Sequence, residues 1–387
     1  MENFDYHIPT DVYFGKGQID KLGKRMSSIA KKVLLVYGGG SIKRTGLYDQ
    51  VIRQLKQAGV TVFELAGVEP NPRIQTVRKG VAICRQENIE GILAVGGGST
   101  IDCAKIIAAG VCYDGDAWDL VLDCDKITKA IPIAAILTLA ATGSEMDGFA
   151  VISDMDKNEK WGTGNELTKP VFSIMDPQYT FSVSKYQTAA GSSDIMSHTL
   201  ENYFNNTKGA FLQARIAEGI LKTVIQYAPI AIERPDDYEA RANLMWASSL
   251  AINGLISYGE DTAWTVHPME HELSAFYDIT HGAGLALLTP YWMEYILSEK
   301  TVGKFAEYGR NVWGIDSSKE PMAAAKEAIA KTRSFFTSIG MPCHLKDLGI
   351  DETHFDIMAE KAANGGLAYG FVPLTKEDVK KIYTMAL

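Results

Sequence analysis

The residues best equipped for chemistry fall in one stretch of the chain. Asp194 and His198 stand four apart in the run GSSDIMSHTLENYF, His267 and His271 repeat that spacing in HPMEH, and His281 immediately precedes Gly282. On a helix, residues i and i+4 lie one above the other on the same face. A carboxylate and an imidazole so placed can share one divalent cation. One aspartate with three imidazoles is a mixed oxygen and nitrogen set suited to Fe(II), Zn(II) or a similar first-row ion, and too rich in nitrogen for Ca(II) or Mg(II). A histidine taken singly is ordinarily a core or surface residue. These four are grouped at helical spacing, whereas His7, His344 and His354 are scattered.

The elements that position these residues differ between the two halves of the chain. In the first half, β-rich runs at 12–14, 33–37, 61–65, 91–95, 133–137 and 171–175 alternate with amphipathic stretches such as 48–57, 74–88 and 101–109. That alternation predicts an α/β domain with a parallel, Rossmann-like sheet covered on both faces, and the nearly continuous apolar strands agree. From residue 183 onward the periodicity is helical, for example over 188–204, 210–227, 237–256, 283–298, 321–339 and 376–385. The expected organisation is a nucleotide-binding α/β domain over 1–182 and an all-helical metal-binding domain over 183–387, with a cleft between them.

Bulk composition narrows the class. The 387 residues are 46% hydrophobic and 22% charged, with a formal net charge of −9, typical of a globular enzyme. No basic block marks a nucleic-acid surface. The N-terminus lacks a signal pattern and no apolar run approaches the ~20 residues of a membrane span, so the expectation is a cytoplasmic protein. The five cysteines form no CxxC pair and read as small buried hydrophobes in a reducing compartment.

Two glycine-rich turns follow strands directly: Gly38-Gly39-Gly40-Ser41 after 33–37, and Gly96-Gly97-Gly98-Ser99 after 91–95, the second opening a helix that carries Asp102. Glycine lets the backbone approach a ligand closely, and a helix N-terminus offers free amides to a phosphate. Neither turn is the G-x-G-x-x-G fingerprint or a P-loop, and either alone is equally well a plain strand–helix turn. Two at the carboxyl ends of parallel strands strengthen the ligand reading. The first turn holds no acid for a ribose 2′-OH and is followed by Lys43 and Arg44, which favours a 2′-phosphate, hence NADP(H), with NAD(H) as the alternative. Thr138 and the run Thr142-Gly143-Ser144-Glu145 add hydroxyls after the strand at 133–137.

With these residues in view, the chain resembles the iron-activated (group III) alcohol dehydrogenases, and within them the NADPH-dependent butanol dehydrogenases and broad-range aldehyde reductases. The carriers are YGGGSIKRTG at 37–46, EPNP at 69–72, GGGSTIDCAK at 96–105, LAATGSE at 139–145, the D-x3-H-x2-E at 194–201 and H-x3-H-x9-HG at 267–282. The resemblance spans the whole chain and implies a dehydroquinate synthase-like fold. It implies Asp194, His198, His267 and His281 as ligands of one divalent metal, Fe(II) or Zn(II), and Gly38, Gly39, Ser41, Asn71, Gly97, Gly98, Ser99, Asp102, Thr138 and Thr142 along the cofactor. Lys160 and Tyr179 fall, by a looser match, where the family places residues near the nicotinamide. His271 matches a histidine near the substrate that is not a ligand.

The expected function is interconversion of primary alcohols such as butanol with their aldehydes, with His271 as the proton relay and a homodimer as the assembly. Three alternatives belong beside it: a zinc and NAD polyol dehydrogenase, a lyase like dehydroquinate synthase, and a non-catalytic nucleotide-binding protein. A lyase acting on a charged sugar acid calls for several basic residues near the metal. No Lys or Arg lies between Asp261 and His281, where Trp264, Phe276 and Tyr277 offer an aromatic lining instead.

Overall fold

The structure, a computed structural model, describes all 387 residues. The chain divides into two compact units. One comprises His7–Val183 and Pro235–Ser249; the other comprises Met1–Tyr6, Ser184–Arg234 and Leu250–Leu387.

The first unit holds eight strands: β1 (Asp11–Phe14), β2 (Lys32–Tyr37), β3 (Thr61–Ala66), β4 (Gly91–Gly96), β5 (Ile133–Leu137), β6 (Phe149–Asp154), β7 (Glu159–Gly164) and β8 (Phe172–Met175). Six of them form one sheet in the order β1-β8-β5-β4-β2-β3, with every pairing parallel. Helices α1 (Leu22–Ser27), α2 (Ser41–Arg44), α3 (Leu47–Gln57), α4 (Ile74–Glu87), α5 (Gly98–Val111) and α6 (Ala117–Leu122) lie between the strands. The expected α/β sheet is therefore present, with each strand within a residue or so of its expected bounds. Side chains alternate across a strand, and β2 shows the consequence. Val33, Leu35 and Tyr37 pack with Met26, Val51 and Leu55 on one face. Leu34 and Val36 pack with Ile101 and Ile107 on the other.

The antiparallel β6–β7 hairpin has no counterpart in the sequence reading. Its second strand, EKWGTG, offers one large apolar residue and two glycines, so no period-two signal is visible. The helix expected over 237–256 ends earlier, as α9 (Tyr238–Leu250). Gly254 turns the chain with φ +100°, and the Asn253 side chain accepts the Leu255 amide at 3.0 Å, a local bond that competes with helix.

The second unit is helical: α7 (Lys185–Tyr203), α8 (Phe211–Glu233), α10 (Val266–Tyr277), α11 (His281–Ile296), α12 (Val302–Trp313), α13 (Pro321–Ser338), α14 (Phe355–Ala363) and α15 (Lys376–Ala386). No helix is long and apolar enough to cross a membrane.

The loop after β5 is fixed by buried charge. The Lys105 ammonium, completely buried, donates to Ser144 Oγ, Asp147 Oδ1 and the Phe149 carbonyl at 2.8, 2.7 and 2.7 Å. Ser144 Oγ donates to Asp102 Oδ1 at 2.6 Å, and Asp102 Oδ2 accepts the Val151 amide at 3.0 Å. Every partner in this set is satisfied, as a buried ammonium requires. Glu145 is different. Ser249 Oγ donates to its Oε1, and Oε2 is buried without a partner. Burial lifts its pKa from 4.5 to about 7. Between those values the folded chain keeps a proton that the unfolded chain releases, so stability falls as pH rises through this interval. Glu145→Gln removes that proton equilibrium. Its melting temperature relative to wild type should therefore rise between pH 4.5 and 7, which paired thermal melts across the range will check.

Candidate active site

Helix α7 supplies Asp194 and His198. Every residue from Thr188 to Tyr203 is buried, so its hydroxyls must be satisfied inside the protein. Ser192, Ser193 and Thr199 donate to carbonyls one turn back at 2.8, 2.9 and 2.8 Å. The polarity of GSSD is thereby absorbed by the helix itself, while Asp194 Oδ1 is left buried with no hydrogen-bond partner.

Helix α11 brings His281 to that oxygen. A Cβ built on Gly282 would fall 2.0 Å from the Ala190 carbonyl oxygen of α7. Only glycine permits this crossing, and it lies one turn before Asp194. Helix α10 brings His267. Its opening amides, of Val266 and His267, donate to Glu201 at 3.0 and 3.2 Å, and the Thr265 amide does the same. A carboxylate is favoured at a helix N-terminus by the exposed amides and the dipole. The arrangement also ties α10 to α7, which carries Glu201.

The geometry converges on one point. The Nε2 atoms of His198, His267 and His281 lie 3.5, 3.7 and 3.7 Å from Asp194 Oδ1, and the ligand atoms of Asp194, His267 and His281 all fall within 4.8 Å of one another. Glu201 Oε1 accepts from His267 Nδ1 at 2.5 Å, and Glu270 accepts from His281 Nδ1. Glu270 is in turn a hydrogen-bond acceptor for Ser274 Oγ. A carboxylate only accepts, so each Nδ1 donates and each Nε2 faces Asp194. His198 has no partner at Nδ1. It is held by stacking on His267, ring centroids 4.7 Å apart, and by the edge of Trp264 at 5.6 Å.

The electrostatics call for a cation. Burial pushes the Asp194 pKa up, but the three imidazoles outweigh it and hold the carboxyl well below its usual range. Burial lowers His198 to about 4, leaving a neutral imidazole. Burial also disfavours charge on His267, yet Glu201 and Asp194 prevail and raise it to about 9. Positive charge is thus stabilised at the point where the nitrogens meet the carboxylate. A tetrahedral ion with bonds of about 2.0–2.1 Å has ligand–ligand edges of about 3.4 Å; the three edges from Asp194 Oδ1 are 3.5–3.7 Å, while His198 stands outside the group whose ligand atoms all lie within 4.8 Å of one another. The buried Asp194 Oδ1 and His267 Nε2, both without hydrogen-bond partners, complete the fit for a first-row divalent ion.

His271 stands beside the set, its ring 6.1 Å from His267 and 5.5 Å from His281 between centroids. Glu270, His271 and His281 also group closely, with Glu270 serving to orient His281. The roles of Glu201 and Glu270 were missed in the sequence reading. Spacing gives a partial signal: Glu201 sits three residues past His198 and Glu270 three past His267, each on the helical face of a candidate ligand, but the imidazole that each orients, His267 or His281, belongs to another helix.

In the sheet unit, the expected cofactor residues gather at the carboxyl ends of three adjacent strands. Gly38, Gly39 and Ser41 follow β2, Gly97, Gly98 and Ser99 follow β4, and Thr138 and Thr142 follow β5. The last two turns touch: a Cβ on Gly98 would lie 2.2 Å from Thr142 Oγ1. Asp102 directs both oxygens into the Ser144 and Val151 contacts. Asn71 takes φ +51° in the loop after β3, Lys160 is buried on β7, and Tyr179 packs partly buried on the core that covers α1 and α3.

A parallel sheet with glycine turns at its carboxyl ends, and a helical unit gathering a carboxylate and three imidazoles, define a metal-dependent nicotinamide oxidoreductase. Residues 9–177 match the model of the iron-containing alcohol dehydrogenases, and residues 188–387 match the C-terminal model of the Fe-containing alcohol dehydrogenase family. NADH-dependent butanol dehydrogenase A of Clostridium acetobutylicum is 58% identical over 99% of both chains. The NADPH-dependent aldehyde reductase YqhD of Escherichia coli is 39% identical over 95% of this chain and 94% of that one. The crystal structure of NADH-dependent butanol dehydrogenase A from Thermotoga maritima superposes with a TM-score of 0.95 at 40% identity, covering 100% of this chain and 99% of that one. The chain belongs to the iron-containing alcohol dehydrogenase family.

Gly282→Ala should force α11 away from α7, cost roughly 1–3 kcal/mol in stability and lower bound metal below one per chain. Thermal unfolding together with elemental analysis of the purified variant checks both effects.

Proposed function

We propose that the protein reduces small uncharged aldehydes such as butanal to primary alcohols, reversibly, with Asp194, His198, His267 and His281 as the ligands of one divalent ion, Fe(II) or Zn(II). The convergence of three Nε2 atoms on Asp194 Oδ1 carries this reading. When bound, such an ion supplies Lewis-acid polarisation of a carbonyl oxygen, and the nicotinamide supplies the redox chemistry. The chain's own residues do the positioning. Glu201 and Glu270 fix the imidazoles, and Trp264, 4.9 Å from His267 between ring centroids, walls the site with apolar surface. His271, half-exposed beside His281, carries a proton between the substrate oxygen and solvent. The sheet unit is the nucleotide-binding part and the helical unit the metal-binding part; they differ from the expected domains 1–182 and 183–387 in that Met1–Tyr6 belongs to the helical unit and Pro235–Ser249 to the sheet unit.

For the cofactor we favour NADP(H), with NAD(H) also accepted. Lys43 stands by the Gly38 turn, and the named relatives include both NADH- and NADPH-dependent enzymes. We place the enzyme in the cytoplasm, where its five free cysteines suit a reducing setting, and we read it as a homodimer. Support for the dimer comes from edge strand β1, whose unpaired side borders a groove of about 480 Å³ lined by Val12, Phe14, Ala242, Asn243 and the half-exposed Trp246. Open edges of this kind are normally covered.

Protein stripped of metal by a chelator should lose NADPH consumption with butanal and regain it on adding Fe(II) or Zn(II). Full activity in a preparation shown by elemental analysis to be metal-free would overturn the proposal. His271→Ala should lower kcat about 10²-fold or more while metal content stays at one per chain. Steady-state kinetics alongside metal analysis separates the relay from a ligand role.

A further inference from the structure

Strand β2 ends at Tyr37, where the Gly38–Gly40 turn begins, and the side chains beside that turn form a closed cluster. Glu64, on the neighbouring strand β3, accepts from Tyr37 Oη at 2.7 Å and from Tyr48 Oη at 2.6 Å. Lys43 lies over both rings, its Nζ 5.1 Å from the Tyr37 centroid and 4.6 Å from that of Tyr48. The same Nζ is 4.0 Å from Glu64 Oε2. The two aromatic faces and the acid thus hold one ammonium in place at the turn. Both charges keep access to solvent, with side chains 51% and 38% exposed for Lys43 and Glu64. The turn itself borders open space, since a Cβ on Gly39 or Gly40 would meet nothing within 4 Å.

In the sequence, Lys43 and Arg44 follow a turn that holds no acid, the pattern that favours a 2′-phosphate. Folding supplies one from β3. Glu64 lies 27 positions beyond Tyr37 in the sequence, yet strand pairing sets it opposite Leu35, two residues before Tyr37. A 2′-phosphate at this turn would meet Lys43 and Glu64 together, attracted by one and repelled by the other. A ribose 2′-OH would meet a carboxylate able to accept from it. We infer that Lys43 and Glu64 form an opposed pair that sets nucleotide preference. Lys43 supplies the affinity for NADPH, and Glu64 restrains it, so that the pair admits both nucleotides. This rests on the proposed reading of the Gly38 turn as the adenosine-ribose site.

The test measures binding of NADPH and of NADH, each by fluorescence titration, to wild type, Glu64→Gln and Lys43→Met. Glutamine keeps an oxygen for a phenol and removes the charge. Glu64→Gln should tighten NADPH about threefold relative to NADH, and Lys43→Met should weaken NADPH about fivefold to tenfold relative to NADH, as expected for partly screened charges. A ratio of the two dissociation constants that moves in neither variant, while wild type still binds nucleotide, overturns the inference and leaves the proposed activity standing. Wild type that binds neither nucleotide overturns both.

Discussion

A single buried oxygen, Asp194 Oδ1, sets the terms for the helical unit. An isolated carboxylate in an apolar interior costs several kcal/mol or more, and this one has no hydrogen-bond donor on that oxygen. Only the imidazoles around it offset that cost. Their placement fixes three helices: α7 carries Asp194 and His198, α10 carries His267, and α11 carries His281. The Gly282 crossing and the Glu201 cap of α10 are two local solutions to one requirement, that three helices deliver nitrogen to the same point.

Acids do two kinds of work around that point. Asp194 faces inward among the ring nitrogens, while Glu201 and Glu270 sit behind the rings and orient them. Orienting carboxylates also raise the basicity of the rings they hold. The contrast with the sheet unit is instructive. There the Lys105 ammonium is matched by Asp147, Ser144 and a carbonyl, and nothing remains for a ligand. A closed network locks a loop; a network with converging, unmatched atoms makes a site. Burial alone does not separate the two, since Lys105 and Asp194 are both buried. Only the accounting of partners does.

The six parallel strands were legible because fully covered strands read as apolar runs, and 33–37 and 133–137 are such runs. The ligand spacing was legible because i, i+4 places residues on one face whatever the tertiary context. The β6–β7 hairpin was not, because EKWGTG earns its strand conformation from pairing with Phe149–Asp154 and not from its own pattern. Nor was the end of α9, where Gly254 and the Asn253 side chain override the preceding helical periodicity. Glu64 was invisible for a different reason. It is distant in sequence from the Gly38 turn, and only the β2–β3 register brings them together. What is local in sequence was readable; what depends on which strand lies beside which was not.

The charge around the candidate metal bears on what can enter. Asp194, Glu201 and Glu270 together bring three formal negative charges; the proposed divalent ion would set two positive charges against them, with the imidazoles neutral as its ligands. The net is one negative charge in surroundings of low polarity, where such a field is weakly screened. A substrate bearing a carboxylate or phosphate would enter against that field. It would also find no Lys or Arg between Asp261 and His281 to receive it. A neutral aldehyde brings only a carbonyl dipole and an apolar chain, and the indole of Trp264 beside His267 offers apolar surface. The same acids that hold the imidazoles in register thus also set the sign of the field around the proposed metal.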